Sequence, residues 1–187
     1  MGRNILILKG SPRENGNSSV LANVVAAGAG EAGAAVDVHS LHTMDIRPCD
    51  ACDSCMETGG VCVISDDMQT LYPKLQEADV IVLASPIYWF TMSAQLKACI
   101  DRFYAFEGSE ELVFAGKKFA IVLTYGDSDP YSSGAVNAIH TFQSMCRYLN
   151  AEIVGMVYGT ANDIGDIEKQ PELMEQAYNL GKLAAGG

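Results

Sequence analysis

Two stretches of this chain carry residue types at spacings that could do chemistry. The first is Gly10-Ser11-Pro12-Arg13-Glu14-Asn15-Gly16-Asn17-Ser18-Ser19. It gathers hydroxyls from Ser11, Ser18 and Ser19, an amide from Asn17 and a cation from Arg13. Such donors satisfy a terminal phosphomonoester, and a helix N-terminus adds favourable charge. A plain turn with an N-cap would need one hydroxyl, not a cluster with an arginine. The second stretch holds Cys49, Cys52, Cys55 and Cys62, spaced C-x2-C-x2-C-x6-C. Consecutive C-x2-C pairs bring three thiolates around one small volume, as iron–sulfur ligation requires, with the fourth ligand from farther along. Structural zinc ranks second, because it usually takes two knuckles with a longer spacer. The loop could also use its cysteines as thiols or as a disulfide, although Asp50 and Asp53 disfavour thiolates.

Two further segments could hold a flat ring. Ala84-Ser85-Pro86-Ile87-Tyr88-Trp89-Phe90-Thr91 places three aromatics in a row just past an apolar run. They could not all face a core from a strand or a helix. A flat apolar cofactor would use them; a hydrophobic plug or a dimer contact would use them too. Thr124-Tyr125-Gly126-Asp127 follows another apolar run, and Gly126 allows close approach of backbone to a ligand. From Asp127 onward a polar turn explains the composition equally well.

These segments need elements to position them. Apolar runs at Asn4–Leu8, Ala35–Ser40, Val80–Ala84, Lys118–Thr124 and Glu152–Tyr158 read as strands. Helical stripes fall between them, at Val20–Val25, Met68–Leu75, Leu96–Tyr104 and Ala135–Leu149, and a last one follows Pro171. Ser93 suits an N-cap, and Pro73 predicts a kink or a late start in its helix. The alternation implies a doubly wound parallel sheet covered by helices on both faces, in the flavodoxin-like order 2-1-3-4-5. A length of 187 residues suits a single domain over 1–187, with 47–66 as an irregular cysteine-rich loop. Gly28-Ala29-Gly30-Glu31-Ala32-Gly33 matches G-x-G-x-x-G but follows the first helix, so it reads as a helix end rather than a dinucleotide loop. Nothing matches a Walker-type Gly-Lys-Ser/Thr, which leaves nucleotide hydrolysis unsupported.

A net charge of −11 with no dense basic run argues against nucleic acid as a partner. The apolar run near the start is too short for a signal core or a membrane span, which predicts a cytoplasmic protein with no membrane partner. Cys99 and Cys146 lie on helical stripes and read as core. His39, His42 and His140 show no ligand spacing.

GSPRENGNSS, SPIYWF and the Leu96-Lys97 to Asp101-Arg102 stretch together resemble the NADPH-dependent FMN reductase family over nearly the whole chain. The resemblance implies FMN held by its phosphate at Ser11, Arg13, Asn17, Ser18 and Ser19. It implies an isoalloxazine against Pro86, Ile87, Tyr88, Trp89 and Phe90, with Tyr125, Gly126 and Asp127 closing one side. Lys97, Asp101 and Arg102 would fix a helix or an oligomer contact. Within that family the cysteine pattern resembles the iron–sulfur flavoproteins, which implies a [4Fe–4S] cluster on Cys49, Cys52, Cys55 and Cys62. The expected function is therefore an oxidoreductase in which a cluster passes electrons to FMN and on to a small-molecule or protein acceptor. The alternatives are an NAD(P)H-dependent FMN or quinone reductase without a cluster, and a flavin carrier or sensor. The resemblance and the exposed aromatic group also suggest a homodimer or homotetramer.

Overall fold

The computed structural model describes residues 2–187. Its chain order is β1 (Asn4–Lys9), α1 (Asn17–Glu31), β2 (Ala35–Ser40), α2 (Ser54–Glu57), α3 (Met68–Glu77), β3 (Val80–Tyr88), β4 (Thr91–Met92), α4 (Ala94–Asp101), β5 (Lys118–Tyr125), α5 (Ala135–Tyr148), β6 (Glu152–Thr160) and α6 (Pro171–Ala185). The long strands pair in parallel in the order β2-β1-β3-β5-β6, and β4 adds an antiparallel hairpin to the end of β3. Counting only the long strands, this is the doubly wound order expected from the sequence.

The central strands are apolar on both sides because both sides are covered. Leu6, Leu8, Ile81, Leu83, Ile121 and Leu123 point into one core, against α3, α4 and α5. Ile5, Ile7, Val80, Val82, Ala120 and Val122 point into the other, against α1 and α6. Period-two alternation within each strand divides the residues between the two cores. Cys99 and Cys146 belong to the first core, where burial pushes both thiols up to about 12. Gly28, inside the G-x-G-x-x-G match, lies against the Tyr178 backbone, and Gly33 follows the helix at φ +86°. That run ends α1 and packs it on α6.

Three details differ from the sequence expectation. Helix α3 begins at Met68 with Pro73 inside it, so its start is not late. Strand β3 continues past Ala84 to Tyr88, because Ser85 and Pro86 still pair with Leu123 and Thr124 of β5. The last aromatics then form a two-residue turn into β4, with Trp89 at φ 45° and Phe90 at φ 67°. Both values are costly for large side chains. The Asn137 side chain of α5 holds the turn by donating to Phe90 O at 3.2 Å.

Ser93 caps α4 as expected, accepting from Leu96 N, and its hydroxyl also donates to Gly10 O at 2.7 Å. That buried bond ties the end of β1 to the start of α4. Ser93→Ala leaves the Gly10 carbonyl without its partner and removes the cap, so chemical denaturation should show a loss of about 1–3 kcal/mol.

Candidate functional site

All the parallel strands end at one edge, and the Gly10–Ser19 loop leaves β1 there. Gly16 N–H bonds Arg13 O at 3.0 Å and Val20 N–H bonds Gly16 O at 3.0 Å, so the chain turns tightly and enters α1 at Asn17. A Cβ on Gly16 would run into Ser11 Oγ and the Arg13 backbone. No side chain caps α1 at Gly16. The N–H groups of the first helical turn therefore face the loop as orphan donors.

The loop's side chains divide by role. Ser18 Oγ is buried and has no hydrogen-bond partner, an arrangement that costs free energy unless a ligand or water satisfies it. Ser11 Oγ exchanges bonds with the Arg13 backbone at 3.1 Å, and Arg13 itself is exposed at the mouth. Asn17 is already engaged: its Nδ2 donates to Asp163 O at 2.9 Å, and Ile167 N–H donates to its Oδ1 at 3.3 Å. Its side chain therefore joins the loop to the segment after β6. Ser19 is buried in the first turn of the helix.

A cleft of about 270 Å³ opens beside the loop, lined by Ser11, Arg13, Asn17 and Ser18 on one side and by Pro86, Ile87, Tyr88, Tyr125 and Gly126 on the other. The β3, β5 and β1 ends thus bring the two sets of expected residues together. Ser19, Trp89, Phe90 and Asp127 are not among its lining residues. Trp89 is 92% exposed, well outside the cleft. Burial pushes the Tyr125 phenol up, so it presents a neutral hydroxyl. Neutral walls beside a phosphate loop suit a planar ring on a phosphorylated chain, and the unsatisfied Ser18 hydroxyl suits its phosphate. The residues present fit FMN.

Thr124, at the start of the expected Thr124–Asp127 segment, also lines the cleft, and so do Ala161 and Asn162, which sequence reasoning missed. Ala161 and Asn162 arrive through sheet register: Tyr125 pairs with Thr160, and Ala161 N–H bonds Tyr125 O at 2.7 Å. The signal available was the equal reach of the last two apolar strands. A second cleft of about 220 Å³ lies at the opposite edge, but its Asp37 and Lys74 already pair with each other.

The cysteine loop overturns the cluster expectation. Cys49, Cys52, Cys55 and Cys62 do border one pocket, but its free volume is only about 20 Å³, room for about one water. Among the described residues no group of three or more Cys, His, Asp or Glu side chains is placed to hold a metal ion. Cys49 and Cys52 are exposed, Cys55 is buried, and Cys62 Sγ accepts from Arg102 Nη2 at 3.3 Å. The donor set is divided between solvent, core and a cation. It does not fit a [4Fe–4S] cube.

What holds this loop is the fully buried pair Arg102–Asp66, at 2.6 Å. Arg102 also donates to Arg47 O at 2.9 Å, and Arg47 N–H donates to Asp66 at 2.9 Å, which closes the segment at both ends. Burial pushes the Asp66 carboxyl up, but the Arg102 guanidinium and the Arg47 N–H outweigh it and hold the carboxyl below its ordinary value of 3.8. Lys97 and Asp101 pair with each other on the α4 surface, one turn apart.

A doubly wound parallel sheet in the order β2-β1-β3-β5-β6, with a donor-rich loop and a neutral cleft at its carboxyl edge, defines a flavodoxin-like protein. Residues 3–163 match the family model described as NADPH-dependent FMN reductase, and the chain belongs to that family. An iron–sulfur flavoprotein of Archaeoglobus fulgidus is 34% identical over 94% of this chain and 76% of its own length. Iron–sulfur flavoprotein MJ1083 of Methanocaldococcus jannaschii is 38% identical, over 52% of this chain and 50% of its own. The matches to the first relatives thus span about half of those proteins' length. An FMN-dependent NADH:quinone oxidoreductase of a Shewanella species is 28% identical over 97% of this chain and 98% of its own. Among solved structures, an NAD(P)H:quinone oxidoreductase from Methanothermobacter marburgensis shares the fold, with a TM-score of 0.73 at 16% identity over 97% of this chain and 96% of that one.

The buried pair gives a prediction with a sign. Because the folded Asp66 carboxyl is depressed, its contribution to stability is present above the ordinary carboxylate pKa. It is lost as pH falls through the folded value. Asp66→Asn leaves Arg102 buried without its counter-charge and should cost roughly 3 kcal/mol or more at neutral pH. From about pH 4 downward, denaturant midpoints of the wild type should fall toward those of the variant.

Proposed function

We propose that this chain is an FMN-binding oxidoreductase that takes reducing equivalents from NAD(P)H and passes them to a small acceptor of the flavin or quinone kind. The observation that carries this reading is the cleft at the carboxyl edge, with an unsatisfied buried Ser18 hydroxyl on its phosphate side and neutral walls at Pro86–Tyr88 and Tyr125–Gly126. Family membership and the full-length match to an FMN-dependent NADH:quinone oxidoreductase support it.

The first helical turn and Ser18 would hold the phosphate, with Arg13 supplying charge from the mouth. Ser11 shapes the loop, and Asn17 fixes it against the segment after β6. Ile87, Tyr88 and Gly126 would exclude water from the ring. The chemistry that FMN supplies when bound is hydride and one-electron transfer. That accounts for a cleft without an acid–base pair of its own. We read 1–187 as one domain. The exposed Tyr88, Trp89 and Phe90 would meet a second copy in a homodimer or homotetramer. Six free cysteines suit a reducing compartment such as the cytoplasm. No helix among the described residues is long and apolar enough to cross a membrane.

Mixing the FMN-loaded protein with NADH or NADPH should bleach the flavin absorbance, and adding a quinone should restore it. A flavin that neither nucleotide reduces would sink the reductase reading and leave a carrier. Ser18→Ala should weaken FMN binding about tenfold, measured by titrating flavin fluorescence, because it deletes a hydrogen bond to a charged group.

A further inference from the structure

The β3–β4 hairpin is held at its base by the core. Met92 is buried and pairs with Ile87, and Ser93 N–H donates to Ser85 Oγ at 2.9 Å. The tip is built differently. Tyr88 pairs with Thr91, so Trp89 and Phe90 form a two-residue loop in which both φ values are positive. Hairpin loops of that kind favour Asn-Gly or Asp-Gly, because large side chains resist left-handed backbone. Two aromatics stand there instead. Their own burial does not hold them, since Trp89 is 92% exposed and Phe90 53%. Strained backbone persists only where surrounding contacts impose it.

Those contacts come from the start of α5. Asn137 Nδ2 donates to Phe90 O at 3.2 Å. Gly134, at φ 74°, lies so close to the turn that a Cβ there would run into Cα and Cβ of Phe90. Tyr88 connects this restraint to the cleft. It is paired across the strained turn, and it lines the cleft wall. Asn137 is not among the lining residues.

We propose that Asn137 is a positioning residue for the flavin cleft: by holding the strained Trp89–Phe90 turn, it keeps Tyr88 in the cleft wall. With that hydrogen bond cut, the turn relaxes toward ordinary backbone. Tyr88 then loses its pairing with Thr91, and the wall loosens on the side where the ring would lie. The hairpin base is unaffected, because Met92 and Ser93 hold it through the core. This inference rests on the reading that FMN occupies the cleft.

The test titrates the flavin-free full chain with FMN and follows flavin fluorescence. The anisotropy of Trp89, the single tryptophan, is read on the flavin-free chain. Two substitutions cut the bond. Asn137→Ala removes the side chain. Asn137→Asp keeps its shape, puts an acceptor where the donor was and favours the helix, because a carboxylate in the first turn of α5 suits the helix dipole. Each should weaken FMN binding about fivefold, the worth of one hydrogen bond, and each should lower the Trp89 anisotropy. The decisive comparison uses a second background, Trp89→Asn with Phe90→Gly, whose loop takes up the turn without strain. There Asn137→Asp should change FMN affinity by less than about twofold, since the restraint is no longer needed. Circular dichroism checks that each variant folds. Unchanged FMN affinity or unchanged Trp89 anisotropy in Asn137→Asp overturns the proposal. So does an equal loss of affinity in both backgrounds, which would show that Asn137 acts on the cleft without the turn. A wild-type chain that takes up no FMN would instead overturn the flavin reading.

Discussion

The three central strands β1, β3 and β5 are buried on both faces, and that burial constrains everything else in the molecule. A parallel sheet covered by helices on both sides has no free face on which to build a site. Polar groups can gather only where the strands stop. At the carboxyl edge the chain must leave β1, β3, β5 and β6 in loops before entering the next helix. The unsatisfied donors of α1 are directed to the same edge. The cleft therefore results from packing two cores against one sheet. Its chemistry is set by the side chains of the loops.

The loops are held by a few polar bonds between distant segments. Ser93 joins the end of β1 to α4, Asn17 joins the phosphate loop to the segment after β6, and Asn137 holds the Trp89–Phe90 turn. The Arg102–Asp66 pair does the same for the cysteine loop. A buried ion pair of this kind stabilises little on balance, because desolvation offsets its attraction, but losing either partner is costly. It specifies one arrangement of a long irregular segment that has little core of its own. These bonds connect residues far apart in sequence, and each fixes a loop whose position the helices and strands leave free.

Much of the framework was legible in the sequence. Strand runs such as Ile5–Leu8 and Val80–Ala84 are too apolar for anything but a doubly covered sheet. Ser93 announced a helix start, and the misplaced G-x-G-x-x-G run was correctly assigned to a helix end. The Gly10–Ser19 loop could be read as the turn from β1 into α1, with its polar side chains on the cleft, because those residues are consecutive. The fate of the aromatics could not be read, since it depended on β3 extending through strand pairing to Tyr88 and turning sharply back. Asn17 stands out locally as one polar group of the loop, and its bonds to Asp163 and Ile167 are ones no local pattern connects to it.

The cysteines separate the two kinds of information most clearly. Their spacing alone determined that four thiols would share one loop, because the separation along the chain limits how far apart they can be. Spacing could not determine which way each sulfur points. That was decided when Arg102, at the end of α4, was buried against Asp66 and took one sulfur as an acceptor, while Cys55 turned to the core and Cys49 and Cys52 to solvent. Local order along the chain sets which groups can meet. The tertiary structure sets the direction each side chain takes, because burial and charge pairing act between segments that the sequence keeps apart.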